Sequence, residues 1–121
     1  MKFLMFIKHT ERDRDLTIPK ALNDAMGEFV TEGFQKGWLK DTAGLKPTAD
    51  GYRIRSKGGK LKQTDGPFTE AKEVVGGYAM VEVKTKEEAH DVAQRFMELH
   101  RVHWPSFECE CEVRAVEEYV A

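Results

Sequence analysis

A chain of 121 residues, 40% of them hydrophobic, has material for a single domain over 1–121 with a modest core, and its unfavourable surface-to-volume ratio favours support from a partner. The formal charge of -2 leaves no net basic field, which disfavours direct nucleic-acid binding through phosphate contacts. The apolar opening Phe3 to Ile7 is too short for a membrane span and lacks a cleavage-site pattern, so no membrane association is expected and the chain reads as cytoplasmic.

Phe3-Leu4-Met5-Phe6-Ile7 has the length of a strand. Thr17-Ile18-Pro19 resembles a helix start with proline in the first turn, and Leu22, Ala25, Met26, Phe29, Val30, Gly33 and Phe34 repeat at helical spacing up to Gly37. A short strand is expected near Trp38-Leu39-Lys40. Tyr52 to Lys57 and Lys60 to Thr64 flank Gly58-Gly59, a two-residue connection suited to the positive torsions of a tight hairpin. Gly77 to Val83 reads as the next strand. Thr85-Lys86-Glu87-Glu88 is a capping box, and Ala89, Val92, Ala93, Phe96 and Leu99 form the apolar stripe of a second helix finishing near His100. Finally, Phe107 to Val113 alternates so regularly that one face is apolar and the other carries Glu108, Glu110 and Glu112.

This order predicts an α+β fold, a ferredoxin-like split βαβ sandwich with an inserted β-hairpin and both helices on one side of an antiparallel sheet. Phe3, Met5 and Ile7 alternate with Leu4 and Phe6, and Tyr78 and Met80 alternate with Ala79 and Val81, so the central strands are apolar on both faces. Two helices cover only one of those faces. The simplest cover for the other is the same face of a second copy, giving a homodimer with two packed sheets.

Between hairpin and next strand lies Thr64-Asp65-Gly66-Pro67-Phe68-Thr69-Glu70-Ala71-Lys72-Glu73, closing on Gly76-Gly77-Tyr78. Asp65-Gly66-Pro67-Phe68, followed by Glu70, Lys72-Glu73 and Gly76-Gly77, resembles the signature of the DGPF-domain proteins of the YCII-related family. The resemblance implies a dimeric α/β barrel, an arrangement shared with several small-molecule enzymes. It further implies a histidine and an aspartate as the suspected catalytic pair, of which only the aspartate transfers by motif, onto Asp65. Some DGPF proteins are linked to transcription through association with sigma factors, although this chain shows no helix-turn-helix pattern.

Asp65 is thus a candidate general acid or base, set against ordinary Asp-Gly-Pro turn chemistry in which its oxygen accepts nearby backbone hydrogens. His9, after the first strand, is its candidate partner. Glu70, Lys72 and Glu73 are candidates for polarising a substrate, or form a solvated charged loop. Gly76-Gly77 permits close approach of backbone to a ligand or partner sheet, or marks a bulge. Phe68, Tyr78 and Trp104, with Trp38, are candidates for walling an apolar pocket, or are simply core.

His100 and His103 with Cys109 or Cys111 offer zinc-type donors without a recognised spacing, so no metal is expected. The two cysteines read as free, small apolar residues on the last strand. Arg53, Arg55, Lys57, Lys60 and Lys62 give the hairpin a basic face that pairs with the acidic final strand or receives an anionic partner. The expected function is binding of a small molecule in a sheet-helix cleft, with cofactor-free acid/base chemistry if the chain is an enzyme. The alternative is a non-catalytic metabolite- or protein-binding regulatory module, which has a link to transcription through the family resemblance.

Overall fold

The computed structural model describes residues 1–10, 17–68, 71 and 73–119. Strand β1 (Lys2–His9) leads to helix α1 (Lys20–Lys36) and strand β2 (Leu39–Gly44). A short 3-10 turn at Thr48–Asp50 precedes the hairpin of β3 (Tyr52–Lys57) and β4 (Lys60–Asp65). Strand β5 (Val74–Glu82), helix α2 (Lys86–His103) and strand β6 (Glu110–Ala115) complete the order. The main sheet runs β2-β5-β1-β6, with antiparallel neighbours throughout. With the hairpin set aside, this is the α+β arrangement of a ferredoxin-like fold.

Local chemistry sets the ends of the elements. Gly37 adopts φ 84° at the C-cap of α1 and donates its N–H to Gly33 O, a left-handed turn that other residues resist. At the start of α2, Thr85 Oγ1 accepts from Glu88 N at 3.1 Å as expected of the cap, while Glu88 Oε2 reaches one residue beyond it and accepts from Lys84 N at 2.9 Å. Gly58 and Gly59 both have positive φ, 58° and 76°, which lets β3 and β4 pair with the twist a hairpin needs.

Several boundaries differ from the sequence expectation, and the short strand expected near Trp38-Leu39-Lys40 runs on to Gly44. Helix α2 continues to His103 instead of ending near His100, because the first breaker is Pro105. Strand β6 starts at Glu110 and not Phe107: Phe107 N donates to Trp104 O at 3.1 Å, holding that segment in a turn and leaving Cys109 outside the strand. Strand β5 begins at Val74, three residues early, which puts Gly76-Gly77 inside it. Ile7 faces Gly77 and Lys8 faces Val75, so Gly76 is the extra residue of a bulge.

Phe3, Met5, Leu39, Val81 and Ala89 form the buried core between sheet and helices, with Val30, Trp38, Val92 and Val113 packed against it. On the opposite face, Leu4 sits beside Met80 and Phe6 beside Tyr78, all four only partly buried. Both faces of the central strands are therefore apolar, and the helices cover one. The hairpin stands as a separate two-stranded sheet. Register puts Tyr52, Ile54 and Leu61 on one of its faces, at 62%, 59% and 76% exposure, and the five cations Arg53, Arg55, Lys57, Lys60 and Lys62 on the other. Among the described residues, no helix is long and apolar enough to cross a membrane.

Candidate functional site

Helical spacing builds the upper wall of a cavity. On α1, Leu22, Met26, Phe29 and Val30 share one face, and on α2 Val92, Phe96 and His100 recur every four residues. Together with Met5, Ala79 and Cys111 from the sheet they line a cavity of about 480 Å³ between sheet and helices. That volume lies within the usual range for small-molecule sites. Two files of rings flank it. In one, Trp38 packs on Phe29 (centroids 5.2 Å), Phe29 on Phe96 (6.4 Å) and Phe96 on His100 (4.6 Å). In the other, Trp104 stacks on Phe107 at 4.2 Å, and Phe107 meets His9 at 5.7 Å.

Each file thus ends in an imidazole. His9 Nδ1 lies 2.8 Å from Thr10 O, and the absence of a side chain at Gly76 makes room for its ring. His100 is 6% exposed, with Nδ1 3.0 Å from Phe96 O. Burial lowers its pKa, against the smaller opposing effect of that hydrogen bond, and so favours neutral imidazole. Cys111 also lines the cavity, and burial raises its thiol pKa, which keeps it protonated and poorly nucleophilic. Cys109 is raised for the same reason.

Of the pocket candidates singled out in the sequence, His9, Trp38 and Trp104 line this cavity, and Tyr78 borders it from a strand position whose side chain belongs to the sheet face away from the helices. Tyr78 hydroxyl donates to Asp41 Oδ2 at 2.9 Å, and that bond raises the phenol pKa. Phe68 and Glu73 line a second, shallower depression at the base of the hairpin, where the Arg53 guanidinium sits 3.9 Å above the Phe68 ring. Asp65 lines neither. It ends β4 opposite Tyr52 and its Oδ1 accepts from Gln63 Nε2 at 2.9 Å. Glu70 and Lys72 lie outside the described residues.

The Asp65 to Phe68 segment closes the hairpin onto the turn at Thr48–Asp50. Gly66 N donates to Gly51 O at 2.9 Å, and Phe68 N to Thr48 Oγ1 at 3.2 Å. A methyl group on Gly66 would overlap the Thr48 carbonyl oxygen, so the signature glycine is dictated by this contact.

Sequence reasoning missed two features. His100 is a wall residue of the cavity, and its spacing of four from Phe96 and eight from Val92 was the available signal. Lys8 is the second: its ammonium lies 3.0 Å from Glu73, 3.3 Å from Glu110 and 3.0 Å from Glu112. The acidic row of β6 is therefore paired with Lys8 of the same chain. Hydrogen bonding to Glu112, then Glu73 and Glu110, holds the Lys8 pKa well above the ordinary lysine value, and Lys8 in turn lowers that of Glu112. Among the described residues, no three histidine, cysteine, aspartate or glutamate side chains are grouped to hold a metal ion.

These features define a small α+β protein with an apolar chamber between an antiparallel sheet and two helices. A family model described as a YCII-related domain matches residues 1–98, and the chain belongs to the YCII-related family. The match ends within α2, so His100, Trp104, Phe107 and Cys111 lie beyond it. No curated protein matches the sequence.

Proposed function

We propose that the chain binds a small, largely apolar molecule in the sheet-helix cavity, with His9 as the candidate acid/base group of cofactor-free chemistry. The observation that carries this reading is the chamber of about 480 Å³ with an imidazole at the end of each aromatic file. Asp65 remains the candidate partner of His9 on the strength of the signature segment; its contact with Gln63 supports the turn role instead. A second copy seated on the Leu4, Phe6, Tyr78 and Met80 face completes the proposed homodimer.

A screen of a metabolite panel by thermal shift tests the binding reading, since a ligand held only by the folded state raises its stability. With a hit in hand, His9→Gln and Asp65→Asn separate the roles. Loss of turnover with ligand binding retained supports acid/base chemistry at either residue, and unchanged behaviour of both variants removes it.

The regulatory-module reading is favoured by one observation, the hairpin whose basic face and exposed Ile54 and Leu61 extend from the main sheet. The cationic face suits an acidic partner, and the opposite face suits that partner's apolar side chains if it wraps the hairpin. Under that reading, charge reversal at Arg55 and Lys62 abolishes partner binding and leaves the cavity's ligand affinity unchanged.

A further inference from the structure

The Nδ1 of His100 lies 3.0 Å from the Phe96 carbonyl oxygen. A carbonyl only accepts, so Nδ1 carries the proton and Nε2 of the neutral ring is a bare acceptor. Nothing among the described residues donates to that nitrogen, although the side chain is 6% exposed and lines the cavity. A buried acceptor left without a donor is costly, and His100 belongs to the wall of a chamber with room for a ligand that supplies one.

We propose that the cavity selects a neutral ring compound bearing a hydroxyl group, of the phenol class, whose O–H donates to Nε2 of His100. The ring is recognised by the walls: Phe29, Phe96 and Trp38 offer edges and faces on one side, Trp104 and Phe107 on the other. Neutrality follows from charge. Apart from the histidines, the one ionisable basic or acidic carboxylate or amine among the described lining residues is Lys46, which is exposed, so the interior supplies no ammonium or guanidinium for a carboxylate or phosphate. The depressed basicity of His100 agrees with this, because a neutral imidazole accepts a hydrogen bond and attracts no anion.

This inference rests on the cavity-binding reading above, and a matched pair of probes separates the two. p-Cresol and p-xylene have nearly the same shape and differ in the hydroxyl. Titrated into the intact protein, p-cresol is expected to bind at least about tenfold tighter, the factor that corresponds to about 1.4 kcal/mol for satisfying one buried acceptor. The His100 Nε2 resonance in 15N NMR moves with p-cresol and stays with p-xylene. His100→Phe keeps a ring in place and removes the acceptor, and it brings the two affinities together.

Equal binding of both probes to the wild-type protein overturns the His100 inference and leaves the cavity reading standing. Binding of neither overturns the phenol inference, and the metabolite panel then decides the cavity reading. A preference for p-cresol without movement of the Nε2 resonance also overturns the assignment, since the hydroxyl is then held elsewhere; this readout on the wild type decides the matter even if His100→Phe fails to fold.

Discussion

The His9 imidazole rests so closely against Gly76 that a methyl group on residue 76 would lie 2.8 Å from His9 Cδ2 and 2.9 Å from Nε2. Bulge and histidine are therefore one device: the residue β5 leaves unpaired against β1 is the one whose missing side chain seats the ring at the cavity wall.

Gly76→Ala is expected to displace His9 and not to unfold the chain, because the atoms in the way belong to a movable side chain. The loss of stability should be about 1 kcal/mol, at the low end for overpacking. NMR shifts of the His9 ring should change strongly. Gly66→Ala is the opposite case, since the added methyl meets the Thr48 backbone. Its expected effect is loss of hydrogen-exchange protection at the amide of residue 66, with protection in β1 and β5 kept.

Replacing Lys8 by Met leaves Glu73, Glu110 and Glu112 without the cation they share. The Lys8 pKa is raised, so its contribution is complete below the ordinary lysine value of 10.5 and fades only as pH rises beyond it. Glu112 is lowered, so its contribution is present above the ordinary glutamate value of 4.5 and is lost as pH falls through its depressed pKa. The stability difference between wild type and Lys8→Met should accordingly be largest between about pH 5 and 10 and shrink in acid. Denaturant unfolding across that range checks it, and added salt should reduce the difference because these groups are near the surface.

The uncovered sheet face leads to a prediction about assembly. Leu4, Phe6, Tyr78 and Met80 form an apolar surface that helices do not reach, and two copies bury it most simply against each other. Sedimentation equilibrium should give the mass of two chains for the wild type. Met80→Lys, which places a cation beside Asp41, should give the mass of one chain with its circular dichroism retained. A wild type that stays single at high concentration contradicts the packing.

Much of the fold was legible because its determinants are local. Gly58-Gly59 announces the hairpin, Thr85 with Glu88 the start of α2, and Gly37 the end of α1, each by backbone chemistry that spans a few residues. The sheet bulge at Gly76 was legible as an option but not as a fact, since it depends on where β1 sits. The site was less readable for a related reason. Asp65 stood out through its signature, yet the tertiary contact of Gly66 with Thr48 turns that segment toward the hairpin base and leaves Asp65 out of the cavity lining. His100 stood in plain helical register with Val92 and Phe96. Its role emerges only when α2 is seen to run on to His103 and to lie over the sheet. Lys8 and its three glutamates are far apart in sequence, and only strand pairing joins them.

If the chamber between sheet and helices is the binding site, methyl-labelled NMR titration of the protein with hits from a metabolite panel will read the ligand at its walls. The expected result is saturable shifts at Val30, Val81 and Val92, around the cavity, with Ile54 and Leu61 of the hairpin unmoved. Shifts confined to the hairpin methyls, or no saturable binding by any member of a panel that includes phenols, would contradict it.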